Sequence, residues 1–109
     1  MNTRIKGANA EKEYEQLLID RGYLVERVKG SSKFNKSVDF FGIADLICLN
    51  AYEIKLVQVK SNGTSGAVKK LTEWYNKNMI YLPQNVSIEV VVRYDNKPLD
   101  TRWRIITII

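Results

Sequence analysis

Two neighbouring apolar β-type runs, Ala44–Leu49 and Ile54–Lys60, are linked by Asn50-Ala51-Tyr52-Glu53. A hairpin closed by those linking residues sets Leu49 against Ile54, and the same antiparallel register sets Asp45 against Gln58. Side chains alternate along a strand, so Asp45, Ile47 and Leu49 share a face with Ile54, Leu56, Gln58 and Lys60. Opposed residues have Cβ atoms about 4.5–5.5 Å apart. An acid, an amide and an ammonium are therefore expected to converge at the open end of an apolar ribbon. Burying them is costly unless they satisfy one another or hold an ion.

The rest of the pattern frames this ribbon. Residues 1–8 read as a flexible basic lead-in, and residues 9–109 as one domain. Asn9 is a cap-type residue for a helix reaching about Arg21, with Tyr14, Leu17 and Leu18 as its apolar stripe and Gly22 as its stop. Tyr23–Val28 alternates as a short strand, and residues 29–37 have turn composition. Val38–Phe41 is read as leading into the next strand, with Gly42 marking a bulge or bend before Asp45. Residues 61–66 form a loop, and a second helix is expected over Ala67–Asn78 with Val68, Leu71 and Tyr75 on one face. Val86–Tyr94 and Arg102–Ile108 are strongly β-type. The order predicts a single mixed α/β domain with a central sheet flanked by helices.

Composition narrows the chemistry. The chain has 109 residues and a formal charge of +5, which favours a polyanionic partner. There is no histidine and only one cysteine, Cys48, in an apolar run. Ser-His triads, His-based proton transfer and His- or Cys-ligated zinc sites are excluded. Cys48 reads as a small buried hydrophobe in a reducing compartment. No run is long and apolar enough to span a bilayer, so a cytoplasmic protein with no membrane partner is expected. Phosphodiester cleavage by such a chain would need carboxylates, amides, lysine and a hard cation.

Each candidate also has a plainer reading. Glu11 falls on the core-facing side of the first helix, or is an acid serving the helix dipole. Asp45 is a strand-end acid or the centre of a site, and its apolar neighbours and Gln58 and Lys60 favour the site. Lys60 suits a sheet edge and Gln58 a hydrogen bond within the sheet. Asp39 is a further ligand or a loop cap. Ser31 and Ser32 bind phosphate or cap a turn. Trp74, Tyr75 and Trp103 could stack bases, although aromatics at such spacings more often fill a core.

With these positions in hand, the chain resembles the PD-(D/E)xK nucleases, above all the archaeal-type Holliday-junction resolvases of archaea, viruses and phages. Lys6-Gly7-Ala8-Asn9-Ala10-Glu11 resembles the resolvase opening and maps its helix-borne acid onto Glu11. Asp20–Val28 resembles the helix end and first strand, and Gly30-Ser31-Ser32 the Gly-Ser loop, with Ser31 as the supporting serine. Asp45 matches the PD aspartate, although Ala44 stands where proline is usual. Gln58 and Lys60 match the (D/E)xK element, although an amide replaces the acid, as in Mrr-like relatives. The resemblance covers roughly residues 6–61 well and the remainder only by element order.

The resemblance implies a restriction-endonuclease-like fold and a Mg²⁺-dependent endonuclease, with Mn²⁺ able to replace Mg²⁺. It implies metal ligation by Glu11, Asp45, Gln58 and the Val59 carbonyl, with Asp39 as a further ligand, and catalytic support from Lys60 and Ser31. DNA contacts are expected at Lys6, Arg27, Lys29, Ser32, Lys33, Lys36, Lys69 and Lys70. A homodimer acting on four-way DNA junctions is implied, joined through the C-terminal strands or the second helix. Three alternatives stand beside it. They are a restriction or repair nuclease on duplex or flapped DNA, a DNA-binding module with a decayed site, and a basic structural protein.

Overall fold

The computed structural model describes the backbone of residues 3–28, 39–98 and 101–109, with side chains from residue 9 onward. Among the candidates above, the Lys6 side chain and Lys29, Ser31, Ser32, Lys33 and Lys36 lie outside the described residues, as does Val38. The elements run α1 (Thr3–Asp20), β1 (Leu24–Arg27), β2 (Leu46–Leu49), β3 (Ile54–Ser61), α2 (Ala67–Asn78), a 3-10 turn (Met79–Tyr81), β4 (Val86–Arg93) and β5 (Trp103–Thr107). The strands form one five-stranded sheet in the order β1-β2-β3-β4-β5. Only β3 and β4 pair in parallel, with α2 in the connection between them, and the other neighbours are antiparallel.

The central strands explain the core. β4 reads Ile88-Glu89-Val90-Val91-Val92, nearly apolar throughout, as a strand covered on both faces should be. Ile88, Val90 and Val92 pack with Leu56, Ala67 and Leu71 on the α2 side. Val91 joins Val57, Val59, Leu46 and Cys48 beneath Ala10, Tyr14 and Leu18 of α1. The period of two in the strands thus splits the core into two layers, one under each helix. Cys48 is buried, as its apolar run predicts, and burial pushes its thiol up to about 12. Among the described residues, no helix is long and apolar enough to cross a membrane.

Two expectations about α1 change. The helix begins at Thr3, so Asn9 lies inside it and caps nothing. Glu11 is accordingly two turns into the helix, too far from its start for the dipole to explain an acid there. The stop is as expected. Gly22 has φ +93°, and its N–H bonds the Ile19 carbonyl while that of Tyr23 bonds Leu18, the paired bonds of a Schellman cap.

A carboxylate clamp fixes α1 to the far side of the sheet. Glu13 accepts from Arg93 of β4 at 2.9 Å and from Arg102, just before β5, at 3.0 Å. Tyr14 beside it stacks on Trp103, with ring centroids 4.8 Å apart. Trp74 and Tyr75 pack against the α2-side core and Trp103 against the α1-side core.

Candidate active site at the open end of the hairpin

The hairpin forms in the expected register, with Leu49 opposite Ile54 and Leu46 opposite Val57. At its open end the pattern breaks. The Val57 carbonyl, whose register partner is Leu46, also accepts the N–H of Asp45 at 2.8 Å. Two residues of one strand then stand against one of the other, which is a β-bulge. Gly42 does not make this bulge; it lies in a separate turn. The bulge takes Asp45 out of the strict alternation of β2, so its carboxylate reaches across the end of the ribbon.

There Asp45 Oδ2 accepts two hydrogen bonds, from Gln58 Nε2 at 2.8 Å and from the Val59 N–H at 2.8 Å. Asp45 is only 7% exposed and Gln58 6%. Burial lifts Asp45 to about 7; the Val59 N–H opposes the shift, and the nearby Glu11 and Asp39 carboxylates add to it. Glu11, half-buried on α1, is also raised, chiefly by burial, with Arg27 opposing and Asp39 reinforcing. The acids of α1, the Asp39 segment and β2 therefore act on one another at a single locus.

The amide at the centre is half-satisfied. Gln58 gives its NH₂ to Asp45, while its Oε1 is buried with no hydrogen-bond partner among the described residues. An orphaned buried carbonyl is costly, and a cation is one group that would relieve it. Val57 turns its carbonyl towards Asp45, and a strand repeats every two residues, so Val59 presents its carbonyl on the same side. The carboxylate, amide and backbone donors at this locus are all hard oxygens, the set that suits Mg²⁺ or Mn²⁺. Among the described residues, no group of three Asp, Glu, His or Cys side chains is arranged to hold a metal ion. Any ion here would rest on amide and backbone oxygens as well as carboxylates.

Lys60 is half-exposed on β3, two residues beyond Gln58 and hence on its face. Asp39 is half-exposed at the start of the turn leading to Asp45. Arg27 ends β1 and pairs with Glu15 at 3.7 Å, and Lys69 and Lys70 are exposed on α2.

The segment before Asp45 departs from expectation. Residues 39–41 do not extend a strand. Phe40 and Ala44 bond each other across a tight turn, N–H to carbonyl, at 2.8 and 3.1 Å. Phe41 and Gly42 both have positive φ, +54° and +72°, and the Ile43 N–H bonds Phe40, which makes a type I′ turn. Glycine suits this conformation, but a phenylalanine there costs about 1–2 kcal/mol. Phe41 is 70% exposed, resting one flank on Trp74 at 5.7 Å between ring centroids. Such a contact returns about 0.5–1.5 kcal/mol. Sequence inspection missed this residue. Its signal was an aromatic directly before a glycine, four residues ahead of the key acid.

No protein-family model matches the sequence, and no curated protein matches it. A solved structure does: that of Archaeoglobus fulgidus Hjc, a Holliday junction resolvase from an archaeal hyperthermophile. The TM-score is 0.60 at 16% sequence identity, covering 94% of this chain and 73% of that one. The chain shares the fold of that structure. That α/β architecture, a mixed sheet flanked by helices, is the one the order of elements along the sequence predicts.

Proposed function

We propose that the protein is a metal-dependent DNA endonuclease that resolves four-way junctions as a homodimer. The reading rests on one observation, the buried cluster in which Asp45 and Gln58 bond each other beside Glu11 while Gln58 Oε1 stays unpartnered. The resolvase fold and the basic charge of the chain support it.

In this reading Glu11, Asp45, the Gln58 Oε1 and the Val59 carbonyl would hold Mg²⁺, with Asp39 as a further donor. Such an ion, when bound, supplies Lewis-acid polarisation and a water of lowered pKa. The chain's own residues do the rest. Asp45, fixed by Gln58 and Val59, keeps its carboxylate in one orientation. Lys60, on the same strand face, sets an ammonium where negative charge gathers on the phosphate. Arg27, Lys69 and Lys70, with Lys6, Lys29, Ser32, Lys33 and Lys36, would grip flanking phosphates, making affinity fall steeply with salt. Ser31 would support the reacting phosphate.

Symmetric cleavage of a junction calls for a two-fold dimer. Met79, Ile80 and Tyr81 follow α2 as consecutive exposed apolar residues, with Ile80 81% and Tyr81 76% exposed. They extend the surface at the end of the second helix and are the natural place for a partner copy.

One observation favours a second reading, a DNA-binding module whose nuclease site has decayed. Two hydrogen bonds already satisfy Asp45 Oδ2, and among the described residues no three acids are arranged to hold a metal ion. Cleavage of a four-way junction and a linear duplex with Mg²⁺ or Mn²⁺ separates the two. The nuclease reading expects junction cutting that falls at least 100-fold in Glu11→Ala, Asp45→Ala and Lys60→Ala. Junction binding without cutting under either ion would leave the decayed module; equal cutting by all variants would show the site is elsewhere.

A further inference from the structure

The turn that delivers Asp45 carries an aromatic ring for which the fold has little use. Phe40, next to it, packs into the α2-side core and does the structural work. Phe41 instead stands out from the surface in a left-handed backbone conformation that a glycine would adopt freely. Its ring contact with Trp74 roughly offsets that strain, and the side chain remains 70% exposed. An unfavourable backbone beside a reactive centre, held there by the surrounding turn, is a reason to look for a role.

Position limits what that role can be. Ile43, Ala44 and Trp74 belong to the same core layer as Leu56. Strand alternation puts Gln58 and Lys60 on that same face, so the ring stands on the side of the sheet that carries them. Four Cα-to-Cα steps lead from it to Asp45, at most about 14 Å even fully extended. That span is about four base steps at 3.4 Å each.

We propose that Phe41 stacks on an unpaired nucleobase next to the scissile phosphate, with Trp74 bracing the ring from behind. The inference rests on the nuclease reading and supplies its substrate preference. Every base has a π-face, so an exposed ring binds unpaired bases without regard to sequence. A paired duplex offers no such face except at its ends. Unstacking costs least where pairing is already broken, as at a branch point. Phe41 would therefore favour branched over linear DNA by contact rather than by global shape.

The test uses the full-length protein in EDTA, so that strands remain whole, with a four-way junction and a linear duplex of matching sequence. Each carries 2-aminopurine near the crossover or the equivalent position. Phe41→Gly suits the turn's backbone and so preserves folding, while Phe41→Trp keeps a stacking surface. The wild-type protein and F41W are expected to bind the junction tightly and change the probe's emission. F41G should lose about 5- to 100-fold in junction affinity and most of the emission change, with duplex affinity within about twofold. Wild-type junction affinity and emission in F41G would overturn the inference while leaving the nuclease reading intact. If the wild-type protein bound neither DNA, the nuclease reading would fall and this inference with it.

Discussion

Gln58 spends its amide NH₂ on Asp45 across 2.8 Å and leaves its carbonyl oxygen buried and unpaired. Glutamate at this position would lose that donor and bring a second carboxylate against Asp45. In metal-free solution at pH 8, Gln58→Glu should therefore be less stable by about 1–3 kcal/mol. Adding Mg²⁺ should reverse the order of benefit, raising the melting temperature of the variant more than that of the wild type. Equal thermal shifts would argue that residue 58 touches no ion.

Asp45 gives the protein a characteristic response to pH. Its pKa of about 7 lies above the ordinary 3.8, so the folded state holds this proton more tightly than the unfolded chain does. The resulting stabilisation is complete below the ordinary value and disappears as pH climbs through about 7. Asp45→Asn keeps an acceptor for Gln58 and Val59 and removes the titration. Urea unfolding in EDTA should show the wild type losing ground to Asp45→Asn between pH 5 and pH 8, and parallel curves would contradict the assignment.

The clamp on α1 should be a matter of stability alone. Glu13→Ala leaves the Arg93 and Arg102 guanidiniums half-buried without their shared acceptor. A loss of about 1–3 kcal/mol is expected in denaturant unfolding. Junction cleavage per folded molecule should change less than threefold. A drop as large as that from Glu11→Ala would place Glu13 in the chemistry instead.

The exposed turn after α2 gives a simple test of assembly. Ile80→Asp puts a charge into a surface that a partner copy would cover, so sedimentation should show a dimer shifting to monomer. A wild-type protein that sediments as a monomer at tens of micromolar would remove the dimer from the proposal.

How much of this was legible in the sequence depended on range. The hairpin register was, because two apolar runs with a short link admit one good pairing, although a bulge outside that register brings the Asp45 carboxylate onto Gln58. The start of α1 was not: Asn9 has the right chemistry for a cap, but a helix already under way from Thr3 overrides it. The bulge at Asp45 was invisible because it depends on which N–H the Val57 carbonyl accepts, and residue types do not encode that choice. Phe41 was misjudged for a related reason. Type I′ turns are read from Asn-Gly or Asp-Gly, and Phe-Gly carries no such mark. The Glu13 clamp joins residues 80 and 89 positions apart, beyond any local pattern.

The parallel pairing of β3 with β4 bears on when the molecule becomes itself during synthesis. Gln58 sits against Val90, a residue made only after α2 and the turn that follows it. A growing chain stalled before Val86 already carries Glu11, Asp45, Gln58 and Lys60, yet it has nothing to lay along the open side of β3. The site must wait for β4, near the end of the polypeptide, before it can be kept dry.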